Sequence, residues 1–130
     1  MIGLDTNVLL RILVGDDPAQ VAAVRKLLAR PGAGAFFVNQ IVLAECAWAL
    51  KGAYKMNRND IVRGFQGLLD TPAFAVEEPE TVVMALTHFQ QTTADFADCL
   101  IAARNTASGC AHTATFDKKM RDLPAVKVLS

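Results

Sequence analysis

Apolar residues in this chain fall into short dense runs and longer stretches with helical spacing, and the two kinds alternate from end to end. Ile2, Gly3 and Leu4 are a dense run, after which Val8, Leu9, Ile12 and Leu13 recur at helical spacing across residues 7–13. The change of period predicts a short buried strand, a turn at Asp5 and Thr6, and a helix. Asp17-Pro18-Ala19-Gln20 offers an N-cap, a proline for the first helical position and a glutamine at the capping-box position. A second helix is therefore predicted over residues 18–29, stopped by Pro31-Gly32. Residues 35–38 predict a second buried strand, and Asn39 caps a helix over residues 41–50. Leu43, Ala44, Ala47, Trp48 and Leu50 give that helix the look of a mostly buried one.

The pattern loosens over residues 52–57 and resumes as a helix over residues 59–69, with Ile61, Val62, Phe65, Leu68 and Leu69 inward. Asp70-Thr71-Pro72 is a turn, and residues 73–76 predict a third strand. Pro79 opens a helix with Glu78 and Glu80 near its positive end and Val82, Val83, Leu86 and Phe89 at the 3.6 period. Another helix opens at Ala94-Asp95-Phe96 and closes at Gly109. A fourth strand over residues 110–114, a helical turn over residues 118–123 and a last strand over residues 126–129 complete the chain. Strands alternating with helices predict an α/β fold: one domain over residues 1–130, with a parallel or mainly parallel sheet covered on both faces by right-handed crossovers.

With 52% hydrophobic and 20% charged residues over 130, this composition excludes disorder and supplies a real core. No apolar run approaches the roughly 20 residues needed to cross a bilayer, and the start lacks a signal-peptide layout. A cytoplasmic, membrane-free protein is expected. Cys46, Cys99 and Cys110 are odd in number and without zinc-ligand spacing, as expected of reduced thiols. The net charge is zero, yet Arg25, Lys26, Arg30, Lys51, Lys55, Arg58 and Arg63 dominate residues 21–67. Such a run is either a solvated face or a local phosphate-contacting patch.

The chemistry lies in acids among apolar neighbours. Asp5 is the only charge before Arg11, and Glu45 the only one in residues 41–50. Asp98 sits in a segment that is otherwise apolar through Ala103, one turn from Asp95. Each has a bland alternative: a helix cap for Asp5 and Asp95, a dipole-favoured N3 position for Asp98, an exposed helix face for Glu45. In a parallel α/β layout, however, Asp5 and Asp117 leave the carboxyl ends of strands, and Glu45 and Asp98 reach the same crevice from helices. Four acids there need a divalent cation, and oxygen-only ligation favours Mg²⁺ or Mn²⁺ over zinc. Such an ion activates water for attack on a phosphodiester.

These residues carry a resemblance. LDTNVLLR at the start, NQIVLAE ending at Glu45, ADFADCLIAA around Asp98 and ATFD ending at Asp117 resemble, in order and spacing, the PIN-domain ribonucleases, and within them the VapC-type toxins of bacterial type II toxin–antitoxin pairs. The resemblance implies a three-layer α/β/α sandwich, Mg²⁺- or Mn²⁺-dependent endonucleolytic cleavage of RNA, a homodimer and a small antitoxin partner. It makes Asp5, Glu45 and Asp98 the principal metal-binding, catalytic acids and Asp117 the fourth, with Asp95 accessory. It gives Thr6 and Asn7 the positioning of the first carboxylate, and Thr115 the support of the last through a hydrogen bond. One departure is Lys119 and Met120, where many relatives carry an acid and then an aromatic residue.

Two other Mg²⁺-using folds fit less well. A haloacid-dehalogenase phosphatase needs a second aspartate two residues after Asp5, where this chain has Asn7; the acid, phosphoacceptor and lysine pattern of a receiver module is missing. The alternatives left are a PIN-fold nuclease outside toxin–antitoxin pairs and a non-catalytic RNA- or protein-binding module.

Overall fold

A computed structural model describes all 130 residues. Asp5, Asp17, Asn39 and Asn57 each accept a backbone N–H at the start of a helix, and these caps set where strand or loop gives way to helix. The elements run β1 (Ile2–Gly3), α1 (Thr6–Leu13), α2 (Pro18–Leu28), β2 (Phe36–Val38), α3 (Gln40–Gly52), α4 (Arg58–Asp70), β3 (Phe74–Val76), α5 (Pro79–Gln91), α6 (Phe96–Ala107), β4 (Thr113–Thr115) and β5 (Val126–Val128), with a single 3₁₀ turn at Lys118–Met120.

Every strand pairing is parallel, because helices carry each return crossing within the first three strands. The ladder is in two pieces: β1, β2 and β3 in that order, with Ile2 opposite Phe36 and Phe36 opposite Phe74, and β4 beside β5 with Thr113 opposite Val126. The layout is the expected three-layer α/β/α one. Strands of two or three residues offer few ladder bonds, so burial rather than pairing holds them. One contiguous core of 25 buried residues does this, with Leu9, Val38, Cys46, Val82, Ala85, Ala94 and Cys99 wholly enclosed.

The fourth strand lies at residues 113–115, later than the expected 110–114. After Ser108, Gly109 takes φ +89°, its N–H bonds Thr106 O and that of Cys110 bonds Asn105 O, a Schellman closure that uses residues 109–110 to end α6. Helix α3 is less buried than expected. Val42, Leu43, Cys46, Ala47 and Leu50 face inward, but Ile41 and Trp48 are exposed. On α5 the inward set is Val82, Ala85, Leu86 and Phe89, and Val83 faces out.

Candidate active site

Three phenylalanines fix the start of α6. Phe96 stands edge-on to Phe65 of α4 at 5.1 Å and to Phe89 of α5 at 5.9 Å. Arg58 closes this cluster from the other side: its guanidinium lies 3.8 Å over the Phe89 ring, and its Nη2 donates to the carbonyls of Phe89, Thr92 and Ala94. The turn between α5 and α6 is thereby tied down directly ahead of Asp95 and Asp98.

Helices α3 and α6 are clasped at both ends. The buried Gln40 accepts from Arg104 Nη1 at 2.7 Å and donates to the Glu77 carbonyl, while Lys51 Nζ donates to Asp95 Oδ1 at 2.6 Å. Pairing of 40 with 104 and 51 with 95 makes the helices antiparallel. It leaves Glu45 and Asp98 offset by roughly 3 Å along the shared axis, at about 1.5 Å per residue.

Asp5 ends the β1 segment as the cap of α1, its Oδ1 accepting the Thr6 N–H at 2.8 Å. The Thr6 hydroxyl donates to Glu45 Oε1 at 2.7 Å and so joins this strand end to α3. The Cys46 thiol beneath them is buried against the Thr6 carbonyl. Burial first, then the charges of Glu45 and Asp5, push it up to about 12. Burial likewise lifts the Cys99 thiol to about 11, so neither is a thiolate nucleophile at neutral pH.

Asp98 heads the second group. Burial, and then the like charges of Asp117 and Asp95, raise its carboxyl above the usual aspartate value, against the opposing pull of Lys119. Asp117 stands beyond the end of β4, its Oδ1 accepting from the Lys119 N–H and its own N–H donating to the Thr115 hydroxyl. The structure therefore gathers Asp5 with Glu45, and Asp98 with Asp117 and Asp95.

Several expectations change. Asp5 and Glu45 are exposed, so desolvation is not what makes them need a partner. Thr6 meets Asp5 as expected, through its backbone N–H, and adds a bond from its hydroxyl to Glu45. Asn7 is exposed and makes no bond to the first carboxylate. Thr115 supports the backbone of Asp117, not its carboxylate. Asp95 occupies the cap position of α6 without a side-chain cap bond, because Lys51 takes its oxygen. Three of the seven basic residues of the run have partners: Lys51 and Arg63 form exposed pairs with Asp95 and Asp60, and Arg58 donates to carbonyls. Sequence reading missed Lys51 as the partner of Asp95 and Arg58 as the anchor of the Ala94 carbonyl just ahead of it, since no local pattern links positions 44 or 36 apart.

As a metal site the donor set fits a hard cation, being carboxylate and hydroxyl oxygen throughout. No three acidic, histidine or cysteine side chains converge to ion-binding distance, so the chemistry of the donors, not a preformed cage, makes the case.

A cleft of about 420 Å³ opens beside the second group, between α3, the start of α4 and the start of α6, with Trp48, Lys51, Lys55, Asp95 and Asp98 in its lining. No helix of the chain is long and apolar enough to cross a membrane.

A curated VapC ribonuclease of Aquifex aeolicus (strain VF5) is 27% identical over 123 residues, covering 92% of this chain and 90% of that one. A toxin–antitoxin complex from Klebsiella pneumoniae aligns over 98% of this chain and 97% of its own at 16% identity, with a TM-score of 0.39. The family model of the PIN domain matches residues 2–126, nearly the whole chain and every acid described above, and the chain belongs to the PIN domain family.

Proposed function

We propose that this chain is a divalent-metal-dependent endoribonuclease and the toxin of a toxin–antitoxin pair, acting as a homodimer and restrained by a small antitoxin. The reading rests above all on the Thr6–Glu45 bond, which sets the Asp5 strand end beside the α3 acid and leaves both carboxylates open to solvent. The VapC ribonuclease relative, matched over nearly its whole length, points the same way.

Asp5, Glu45, Asp98 and Asp117 would hold Mg²⁺ or Mn²⁺. When bound, such an ion lowers the pKa of a water and offsets the charge of the phosphate. The protein's own part is to place and orient. Thr6 fixes which Glu45 oxygen turns inward, Thr115 sets the backbone of Asp117, and the Arg58 turn presents Asp98 at the start of α6. Lys119 supplies positive charge next to Asp98, at a place where the resemblance leads one to expect an acid.

The test is incubation of single-stranded RNA with the purified protein in Mg²⁺ or Mn²⁺ and again in excess EDTA. Internal cleavage with metal and none with EDTA is expected. Cleavage that survives chelation removes the metal mechanism, and intact RNA under every metal condition favours a non-catalytic binding module. A neighbouring reading frame whose product binds the chain and stops cleavage separates the toxin reading from a nuclease of another role.

A further inference from the structure

Trp48 is the sole tryptophan of the chain and stands 81% exposed at the cleft beside Asp95 and Asp98. Nothing in the fold explains that exposure, because α3 buries its core side through Leu43, Cys46, Ala47 and Leu50. Lys51 follows one turn later and Lys55 just past the helix end, both lining the same cleft. Ala44, Ala47, Gly52 and Ala97 are the small residues of the lining, and the volume of about 420 Å³ is in the range that encloses a small-molecule-sized group.

We propose that this cleft is a nucleotide subsite for single-stranded RNA, in which Trp48 stacks on the base next to the cleaved bond and Lys51 and Lys55 meet the flanking phosphates. The inference rests on the nuclease reading and adds a specificity-determining surface to it. An exposed indole between small residues is a stacking platform open to any base, and paired lysines beside it match a polyanion. Asp95 and Asp98 line the same cleft, so a strand held there would pass beside these proposed site acids. Lys51 is free to exchange partners. Its bond to Asp95 is an exposed ion pair, 57% and 43% accessible on the two sides, of the kind that contributes little and yields to a competing anion. A phosphate taking Lys51 would free the Asp95 carboxylate.

The indole is its own reporter. A short 2′-O-methyl single-stranded RNA is titrated in EDTA, with Trp48 emission and the anisotropy of a label on the RNA read together, and the probe checked intact afterwards. Saturable quenching that tracks the anisotropy is expected, and an abasic nucleotide at the stacked position should abolish the quenching. Trp48→Ala should weaken binding roughly ten-fold or more, with Trp48→Phe retaining most of it. Lys51→Gln and Lys55→Gln should each lower the salt slope by about 0.7. Exposure of all three side chains makes folding of the variants a simple check by circular dichroism. Binding by anisotropy with unchanged Trp48 emission overturns the proposal, as does a failure of this RNA to bind. A Trp48 response to the antitoxin or to a second copy of the chain, without one to RNA, overturns it in favour of a protein interface. Failure of the nuclease reading is seen separately, as an absence of metal-dependent cleavage by the wild type.

Discussion

Replacing Arg58 by alanine removes the side chain that ties three carbonyls of the α5–α6 turn together. Its Nη2 has two hydrogens for three carbonyls, those of Phe89, Thr92 and Ala94, so the group counts as about two charge-assisted bonds. At the low end for hydrogen bonds to charged groups, about 1.5 kcal/mol each, they contribute about 3 kcal/mol. The stack 3.8 Å over Phe89 adds about 0.5–1 kcal/mol. Rehydration of the freed carbonyls offsets part of this, leaving a loss of about 3 kcal/mol, on the order of 10 °C in Tm for a chain of this size. Arg58→Lys keeps the charge but loses the planar stack and should fall about halfway. Thermal and urea melts measure both, and an unchanged urea slope shows that stability alone has moved. Ala94 immediately precedes Asp95, so cleavage measured well below both melting points should also fall. An Arg58→Ala protein within about 0.5 kcal/mol of wild type would show that these bonds do not hold the turn, since that is the range of a surface change that touches nothing.

Thr6→Val should lower cleavage roughly 10- to 100-fold with little change in Tm, and Thr6→Ser should restore it, since only the hydroxyl reaches Glu45. Asp98 carries a raised carboxyl pKa, so in EDTA the folded state binds its proton at higher pH than the unfolded chain does. Its stabilising share is thus present below the ordinary value of 3.8 and is lost as pH rises through the folded value. Asp98→Asn should remove that fall and be the more stable protein at pH 7; an identical pH profile for both would contradict it. A thiol reagent at neutral pH should label Cys110 alone in the folded protein, because Cys46 and Cys99 are buried and held at about 12 and 11. Fast labelling of more than one thiol before unfolding would show the core beneath Thr6 to be open.

Much of this was legible in the chain. Asp17 and Asn39 cap the helices that their positions predict, and the alternation of dense and spaced apolar runs yields the parallel layout. What escaped prediction depends on which side of an element meets solvent. Helix α3 has alanines at 44, 47 and 49 on more than one face, so it reads as apolar all round. Its outer stripe, Ile41, Glu45 and Trp48 at spacings of four and three, emerges only once its packing against α1 and α6 is known. Asp5 looked stranded among apolar neighbours because sequence shows neighbours in the chain, whereas its carboxylate projects from a strand end into water. Partners such as Lys51 with Asp95 and Arg58 with Ala94 exist only through helix packing, which no local pattern encodes.

In the proposed mechanism Asp5 with Glu45, and Asp98 with Asp117 and Asp95, are two halves of one catalytic centre, although they do not converge on a single point. Single-turnover RNA cleavage in Mn²⁺ by Asp5→Asn, Asp98→Asn and the double variant decides whether they act together. Groups that act as a unit lose nearly everything with the first removal, so the double variant should cleave within about ten-fold of the slower single one. Losses that multiply, or a half whose removal leaves the rate unchanged, would show that the two sets of acids do not serve one reaction.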